Sequence, residues 1–136
     1  MPLFRRPDVT WFGSILIKLS FCLHRLPGLT REAFHAYWFE KHAPLVATHR
    51  SALRIRRYVQ QHSATTELND GIRAGRGAPE MFDGIAELWW DNFEELQAAM
   101  VLPEGHAASL ELLEDERKFI DLSRSPLWFS DEKQIF

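Results

Sequence analysis

ILIKLSFCLHRLPGLTREAFHAYWFEKHAPLV, residues 15–46, decides the fold, because a strand pattern, a turn and a helix pattern follow one another there. Every second residue of 15–24 is apolar, which predicts a β-strand with one face in a core. Pro27 and Gly28 mark the turn that follows the strand. The other face of the strand carries smaller and more polar side chains, at Leu16, Lys18, Ser20, Cys22 and His24.

The first helix is predicted to begin after Thr30, because threonine is a favourable N-cap residue. Leu29 can pack against Phe34 at the fourth helical position as a hydrophobic staple. We expect the helix to run from residue 31 to about residue 42. Its apolar stripe would pass through Phe34, Trp38, Lys41 and Leu45.

His42 lies near the predicted end of this helix, two residues before Pro44. Because proline has no N–H, the carbonyl of Glu40 loses its helical partner, and His42 falls in the last turn. On a helical wheel His42 is about 80° from Phe34, at the edge of the apolar stripe. A helix C-terminus favours the imidazolium form of a histidine. Two interpretations stay open: a half-buried residue that bonds a free carbonyl, or an acid–base group of a site.

The rest of the chain predicts three more strands and a second helix. Residues 53–62, 81–90 and 125–130 have strand patterns. Asp91 is the expected cap of the second helix, and Pro103 is expected to restart that helix. An apolar stripe continues through Leu110, Leu113 and Phe119.

The order of these elements is β-α-β-β-α-β, which predicts a ferredoxin-like α+β fold. One four-stranded antiparallel sheet would carry both helices on one face, within a single domain over residues 1–136. Residues 63–79 have no periodicity and predict a long, mobile loop that gates a cavity.

The bare face of the predicted sheet combines aromatic and ionisable side chains: Lys18, Ser20, Tyr58, His62, Glu87 and Trp89. Two copies packed sheet to sheet would enclose this face as a cavity suited to a small ligand, so we expect a homodimer. Glu87 either pairs with Lys18 or has a raised pKa. Trp38, Trp89 and Trp90 either line the pocket or belong to the core. A register shift of one residue would invert these assignments.

Composition limits the class of protein. Apolar residues make up 46% of the chain and charged residues 26%, as in soluble globular proteins. The net charge of -3 argues against a nucleic-acid partner. The N-terminal apolar run is too short for a membrane span and lacks a cleavage signal, and the single Cys22 fits a reducing compartment, so we expect a cytoplasmic protein. His35 and His42 are too far apart on the helix to chelate, so no metal site is predicted.

HRLPGLTREAFHAYWFEKHAPLV, residues 24–46, resembles the first helix of the EthD-like branch of the dimeric α+β barrel proteins. FDGIAELWWDNFEELQAAM, residues 82–100, with the following PEGHAASL, resembles the third strand and second helix of that family. The resemblance implies a homodimer with a ligand cavity in each protomer. Related barrel proteins include polyketide cyclases, lactone isomerases, decarboxylases and cofactor-free oxygenases, which commonly transfer protons with a His, Tyr or acid and use no metal. The motif histidine matches His42, and PEGHAAS is similar to a helix start in plant polyketide cyclases that implies a catalytic His106.

Residues and resemblance together predict a cofactor-free lyase or isomerase with His42 and His106 as its acid and base. It would act by proton transfer next to a carbonyl of a small aromatic, polyketide-like or lactone compound. The residues expected to bind the substrate are Lys18, Trp38, Tyr58, His62, Glu87 and Trp89. The alternatives are a cofactor-free monooxygenase and a non-catalytic ligand-binding or accessory protein of a degradation pathway, because fold does not decide function.

Overall fold

A four-stranded antiparallel sheet with the order β2-β3-β1-β4 is the centre of the computed structural model, which describes residues 16–136. Ile15 of the predicted first strand lies outside the described residues. The predicted α+β ferredoxin-like order is confirmed, with the first and third strands in the middle of the sheet. The strands are β1 (Ile17–Leu23), β2 (Arg57–His62), β3 (Gly84–Trp90) and β4 (Leu127–Asp131).

Six α-helices are found in the described part of the chain. Thr30 caps the first of them as predicted, its Oγ1 accepting from the amide of Ala33 at 3.1 Å. Asn92, and not Asp91, caps the helix after β3, because its side chain accepts from the amide of Glu95 at 2.8 Å. The helices are α1 (Arg31–Tyr37), α2 (Ala43–Thr48), α3 (Arg50–Leu53), α4 (Glu67–Arg76), α5 (Phe93–Val101) and α6 (Pro103–Glu116).

The core lies between the helices and one face of the sheet. Ile17 and Trp90 from the sheet meet Val46 and Leu112 from the helices in one cluster. A second cluster contains Phe21, Leu23, Phe34, Trp38, Ala86, Phe119 and Ile120. The apolar alternation predicted for β1 and β3 therefore describes their covered faces correctly.

The first helix does not stop at residue 42, and this corrects the sequence prediction. A π-turn over Trp38–His42 joins α1 to α2, and Pro44 lies in the first turn of α2, where a missing N–H costs little. The buried stripe is Phe34, Trp38, His42 and Val46, in steps of four residues. In a regular α-helix each such step would rotate the side chain by about 40°. The wider π-turn offsets that rotation and keeps His42 in the buried stripe rather than at its edge.

β2 faces the opposite way from the prediction. The strand begins at Arg57, because α3 occupies the residues before it and Arg54 ends that helix with a left-handed φ of 58°. Tyr58 lies opposite Leu88 of β3 and packs with it against the core. Tyr58 and His62 therefore lie on the helix-covered face, and their predicted place on the bare face was wrong.

Residues 63–79 contain α4, so the prediction of a long loop was wrong. Thr66 caps this helix, and Gly77 ends it with a φ of 60°. Its two large apolar residues, Leu68 and Ile72, are exposed, so the segment lacks the buried stripe from which a helix is usually predicted. No residue of 63–79 lines the main cavity of the described structure.

Candidate functional site

A cavity of about 740 Å³ lies between the sheet and the helices on the covered side of the molecule. Its wall is mostly apolar, and no lysine or arginine of the described residues lines it. The polar side chains in the wall are His42, Tyr58, Gln97, Ser109 and Glu116. An apolar pocket of this size with a few convergent polar groups is typical of a small-molecule site.

His42 enters this wall through the π-turn and is held by Asp115 of α6. Its Nδ1 lies 2.7 Å from Oδ2 of Asp115. The Tyr37 hydroxyl donates to Oδ1 of the same carboxylate at 2.6 Å, and Nζ of Lys118 lies 3.4 Å from Oδ1. Burial alone would raise the pKa of Asp115, but the hydrogen bonds from Tyr37 and His42 outweigh it and lower that pKa. Asp115 is therefore an ionised carboxylate at neutral pH.

His42 is neutral in this setting. Burial lowers its pKa, although the hydrogen bond and the charge of Asp115 act in the opposite direction. The imidazolium form expected at a helix end was wrong, because the helix continues past His42 and the side chain is buried. A neutral ring that donates from Nδ1 to Asp115 carries its lone pair on Nε2.

The second ring nitrogen of His42 makes no hydrogen bond within the described structure. Nε2 has no hydrogen-bond partner among residues 16–136, whereas Nδ1 is bonded to Asp115. The His42 side chain lines the cavity, so Nε2 is the nitrogen left for a ligand there. A neutral imidazole that is oriented by a carboxylate and open to a pocket is the arrangement of a general base.

Two further ionisable side chains, Glu116 and Tyr58, line the cavity with raised pKa values. Burial raises the pKa of Glu116 to about 7, with the charge of Asp115 acting in the same direction and Arg117 opposing it. Burial also raises the pKa of Tyr58 to about 12. The Tyr58 oxygen accepts a hydrogen bond from Nε2 of Gln60 at 2.7 Å. Both side chains can donate a proton or a hydrogen bond near neutral pH.

Trp38 forms one wall of the cavity and is 1% exposed. Its ring stacks on the ring of His62, with 4.6 Å between the centroids. The ring also lies against Gly84, where a Cβ would collide with it, so glycine is required at the start of β3. Trp38 is thus both core and pocket wall, which joins the two interpretations left open by the sequence.

The predicted binding residues Lys18, Glu87 and Trp89 lie on the sheet face opposite the cavity. Lys18 pairs with Glu87, as one of the two alternatives proposed. Burial would raise the pKa of Glu87, but hydrogen bonds from Gln61 and Lys18 outweigh it and lower that pKa. Two cations lie over the Trp89 ring, with Lys18 Nζ 5.0 Å and the Arg57 guanidinium carbon 4.6 Å from the ring centroid. The structure therefore does not bring these residues together with His42.

His62 and His106 are also outside the cavity wall. His62 bonds to Oε1 of Gln60 at 2.8 Å, and burial, together with the charge of His35, lowers its pKa. His106 is exposed in the first turn of α6. The structure does not bring His106 together with His42, the residue with which it was predicted to form an acid and base pair, since only His42 lines the cavity.

Sequence reasoning missed Asp115 and Glu116. The predicted stripe on α6 was out of phase, because its true buried line begins with the small residues Gly105 and Ala108. Asp115 lies three residues after buried Leu112, so a carboxylate stands in a core position. A charged residue in a buried stripe indicates a specific partner, and this signal could have identified Asp115.

Neither a metal-binding cluster nor a membrane-spanning helix is found in the described part of the chain. No three His, Cys, Asp or Glu residues within 16–136 are grouped so that they could hold a metal ion. No helix in the same range has both the length and the apolar character needed to cross a membrane.

Comparisons with known proteins identify the fold and a family. The family model for the EthD domain matches residues 26–123. An EthD family protein from Bacillus halodurans is 24% identical, with a TM-score of 0.57 over 87% of this chain and 99% of that chain. A dimeric protein of unknown function with a ferredoxin-like fold, from Bacteroides fragilis, is 9% identical, with a TM-score of 0.55 over 86% and 96%.

A third similar structure is the hydroxynitrile lyase from Passiflora edulis, 8% identical, with a TM-score of 0.60 over 90% of this chain and 98% of that chain. At these identities the solved structures show a shared fold and nothing more. No curated protein matches the sequence.

Proposed function

The chain belongs to the EthD domain family, and we propose that within this family it is a lyase or isomerase in which His42 is the general base. One observation carries the proposal: the buried pair of His42 and Asp115, with the His42 side chain in the wall of an apolar cavity. The likeness to a hydroxynitrile lyase supports only the statement that this fold can hold a lyase site.

In the proposed reaction, Nε2 of His42 takes a proton from a carbon next to a carbonyl group. Asp115 stabilises the imidazolium that forms, and the hydroxyl of Tyr37 keeps the carboxylate in place. The Tyr58 phenol is a donor on the same wall that could bind the substrate oxygen. A positioned base of this kind contributes about 10²–10⁴-fold to a rate. The reaction needs no cofactor, because the substrate carbonyl itself stabilises the carbanion.

The cavity favours an uncharged, flat substrate with a carbonyl group. Its described wall has no lysine or arginine to neutralise an anion, and the nearby carboxylate of Asp115 would repel one. Trp38 offers an aromatic wall, and a volume of about 740 Å³ accommodates an aromatic, polyketide-like or lactone compound.

We also propose that the protein forms a homodimer through the open face of the sheet. This face carries the Lys18–Glu87 ion pair, Trp89 and the half-exposed Trp128 of β4. A second copy would cover Trp128, and the similar protein from Bacteroides fragilis is a dimer. The cavity and the proposed interface lie on opposite faces of the sheet, so each protomer would keep its own site.

The proposed base can be tested with 2-tetralone, a flat uncharged aromatic ketone, as a probe. Proton NMR in D₂O would follow exchange of the protons next to its carbonyl. We expect the protein to accelerate this exchange, and His42→Asn to lower the accelerated rate by about 10²-fold with an unchanged melting temperature. His49→Asn is the matched control, because His49 also bonds a carboxylate but on the surface, at Glu111.

Two outcomes would contradict the proposal. A folded His42→Asn protein that exchanges the probe at the rate of the unsubstituted protein would remove His42 as the base. Binding of 2-tetralone without any acceleration of exchange would favour the ligand-binding or accessory role instead.

A further inference from the structure

We infer that Glu116 is a second catalytic residue, which donates a proton to the substrate oxygen while His42 takes one from carbon. The inference rests on the proposed function, because it assigns the acid that complements the proposed base. It concerns a cavity residue that the sequence patterns did not reveal.

The placement of Glu116 on α6 is the first argument. Ser109, Leu112 and Glu116 follow at spacings of three and four residues, and all three line the cavity. Side chains at such spacings share one face of a helix. Asp115, the preceding residue, is turned to Nδ1 of His42. Two consecutive residues of one helix thus orient the base and supply an acid to the same cavity.

The second argument is the missing partner of the Glu116 carboxyl. The other carboxyls in the second half of α6 all have basic partners: Glu111 with His49, Glu114 with Arg117, and Asp115 with His42 and Lys118. Glu116 has neither an ion-pair partner nor a side-chain hydrogen bond among residues 16–136, although it is partly buried. A carboxyl without a cation at an apolar wall is most stable in its neutral form.

The charged and titratable groups around Glu116 favour that neutral form. Asp115 on the same helix raises the pKa of Glu116, and Arg117 opposes it without cancelling the effect of burial. From β2, Tyr58 faces the carboxyl closely enough for the Glu116 charge to raise the pKa of the phenol. From the π-turn, His42 lines the same cavity as a neutral ring.

The proton transfers balance for an isomerisation. Nε2 of His42 takes a proton from the carbon next to the carbonyl, and the C–H electron pair becomes a C=C bond. The carbonyl π pair moves to oxygen, which takes the proton of Glu116 and forms an enol. In a substrate whose reacting carbon also adjoins a C=C bond, this enol is a dienol, and the imidazolium returns its proton to the far carbon of that C=C bond. The O–H electron pair re-forms the carbonyl, and the Glu116 carboxylate recovers the O–H proton. Both side chains end in their starting states.

The test compares Glu116→Gln with Glu114→Gln, which makes the same change at an exposed position of the same helix. The readout is exchange of 2-tetralone in D₂O against pH. The unsubstituted protein should lose rate above pH of about 7, where Glu116 ionises. Glu116→Gln should be at least about 10-fold slower at pH 6 and should lack this alkaline decline. Glu114→Gln should keep both the rate and the decline.

A second readout does not depend on activity. Carbon NMR of the protein labelled at glutamate carboxyls should show one group that titrates near pH 7, which is absent from Glu116→Gln and present in Glu114→Gln. If every glutamate titrates near its ordinary value, or if Glu116→Gln keeps the rate and profile of the unsubstituted protein, the inference fails. Loss of exchange in His42→Asn alone would leave the proposed function standing without this role for Glu116.

Discussion

At the scale of single residues, the chemistry of His42 depends on what each ring nitrogen touches. Nδ1 is bonded to the carboxylate of Asp115, and Nε2 has no hydrogen-bond partner among residues 16–136 although the side chain lines the cavity. Burial keeps the ring neutral, while the carboxylate determines which nitrogen carries the proton. The contact with Asp115 that holds the side chain therefore also orients the ring for the proposed role as a base.

Asp115→Asn should change which ring nitrogen of His42 carries the proton, while it preserves the size of the side chain at position 115. An asparagine amide can donate to Nδ1, which would move the ring proton to Nε2 and remove the lone pair from the cavity. We expect exchange of 2-tetralone to fall by about 10²-fold or more. Asp121→Asn, at a carboxylate that accepts from Ser123 on the surface, should have no effect. Equal rates for the two variants would argue against the orienting role.

Glu116 should leave a signature in the pH dependence of stability. Its pKa is about 7 in the folded state against an ordinary value of 4.5. Between these two pH values the folded protein keeps a proton that the unfolded chain releases. The free energy of unfolding should therefore fall as pH rises through this range. Relative to the unsubstituted protein, Glu116→Gln should have a free energy of unfolding that is higher by on the order of 2 kcal/mol at pH 8 and little changed at pH 4. Urea unfolding at both pH values measures this, and an equal effect at both would contradict it.

His106→Asn tests the residue that the sequence favoured as the partner of His42. Because His106 is exposed and outside the cavity wall, we expect unchanged exchange of 2-tetralone and an unchanged melting temperature. A rate loss comparable to that of His42→Asn would show that His106 reaches the site in solution.

At the scale of secondary-structure elements, close contacts between helices position the wall of the cavity. Gly105 in the first turn of α6 lies against the backbone of Ala99 in α5, and a Cβ there would collide with the Ala99 carbonyl. α5 and α6 both contribute to the cavity wall, through Gln97 and Glu116 among others. The close contact that Gly105 allows between α5 and α6 therefore helps to position Glu116 in the cavity wall.

Gly105→Ala should destabilise the protein by about 2 kcal/mol or more, because the two helices would have to move apart. Gly71→Ala on α4 is the matched control, since nothing lies within 4 Å of the position that its Cβ would take. That substitution should stabilise the protein by about 0.5–1 kcal/mol, as expected for glycine in a helix interior. Thermal and urea unfolding of both variants would check the opposite signs.

At the scale of the whole molecule, the two faces of the sheet differ in what covers them. Helices and the cavity occupy one face, and the other carries a paired lysine and glutamate beside exposed aromatic surface. We expect sedimentation to give twice the 15.9 kDa mass of the chain at micromolar concentration. Trp128→Arg should shift the protein toward monomers, because it puts a charge into the proposed interface. Leu68→Arg, on the exposed side of α4, should not.

The sequence by itself determined the elements whose patterns are local. Alternation located β1 and β3, and the threonine before α1 was recognised as its cap. The motif at residues 24–46 indicated the family and singled out His42. These signals depend on neighbouring residues of one strand or helix, so they can be read without a partner segment.

Only the tertiary structure decided which face of the sheet holds the cavity and which residues meet His42. Asp115 is 73 residues from His42 along the chain, and no local pattern records that contact. β2 was misread because its alternation continues backward into α3, and a shift of one residue exchanges the two faces. The helices pack on one face of the sheet, and that long-range packing brings His42, Tyr58 and Glu116 to one cavity.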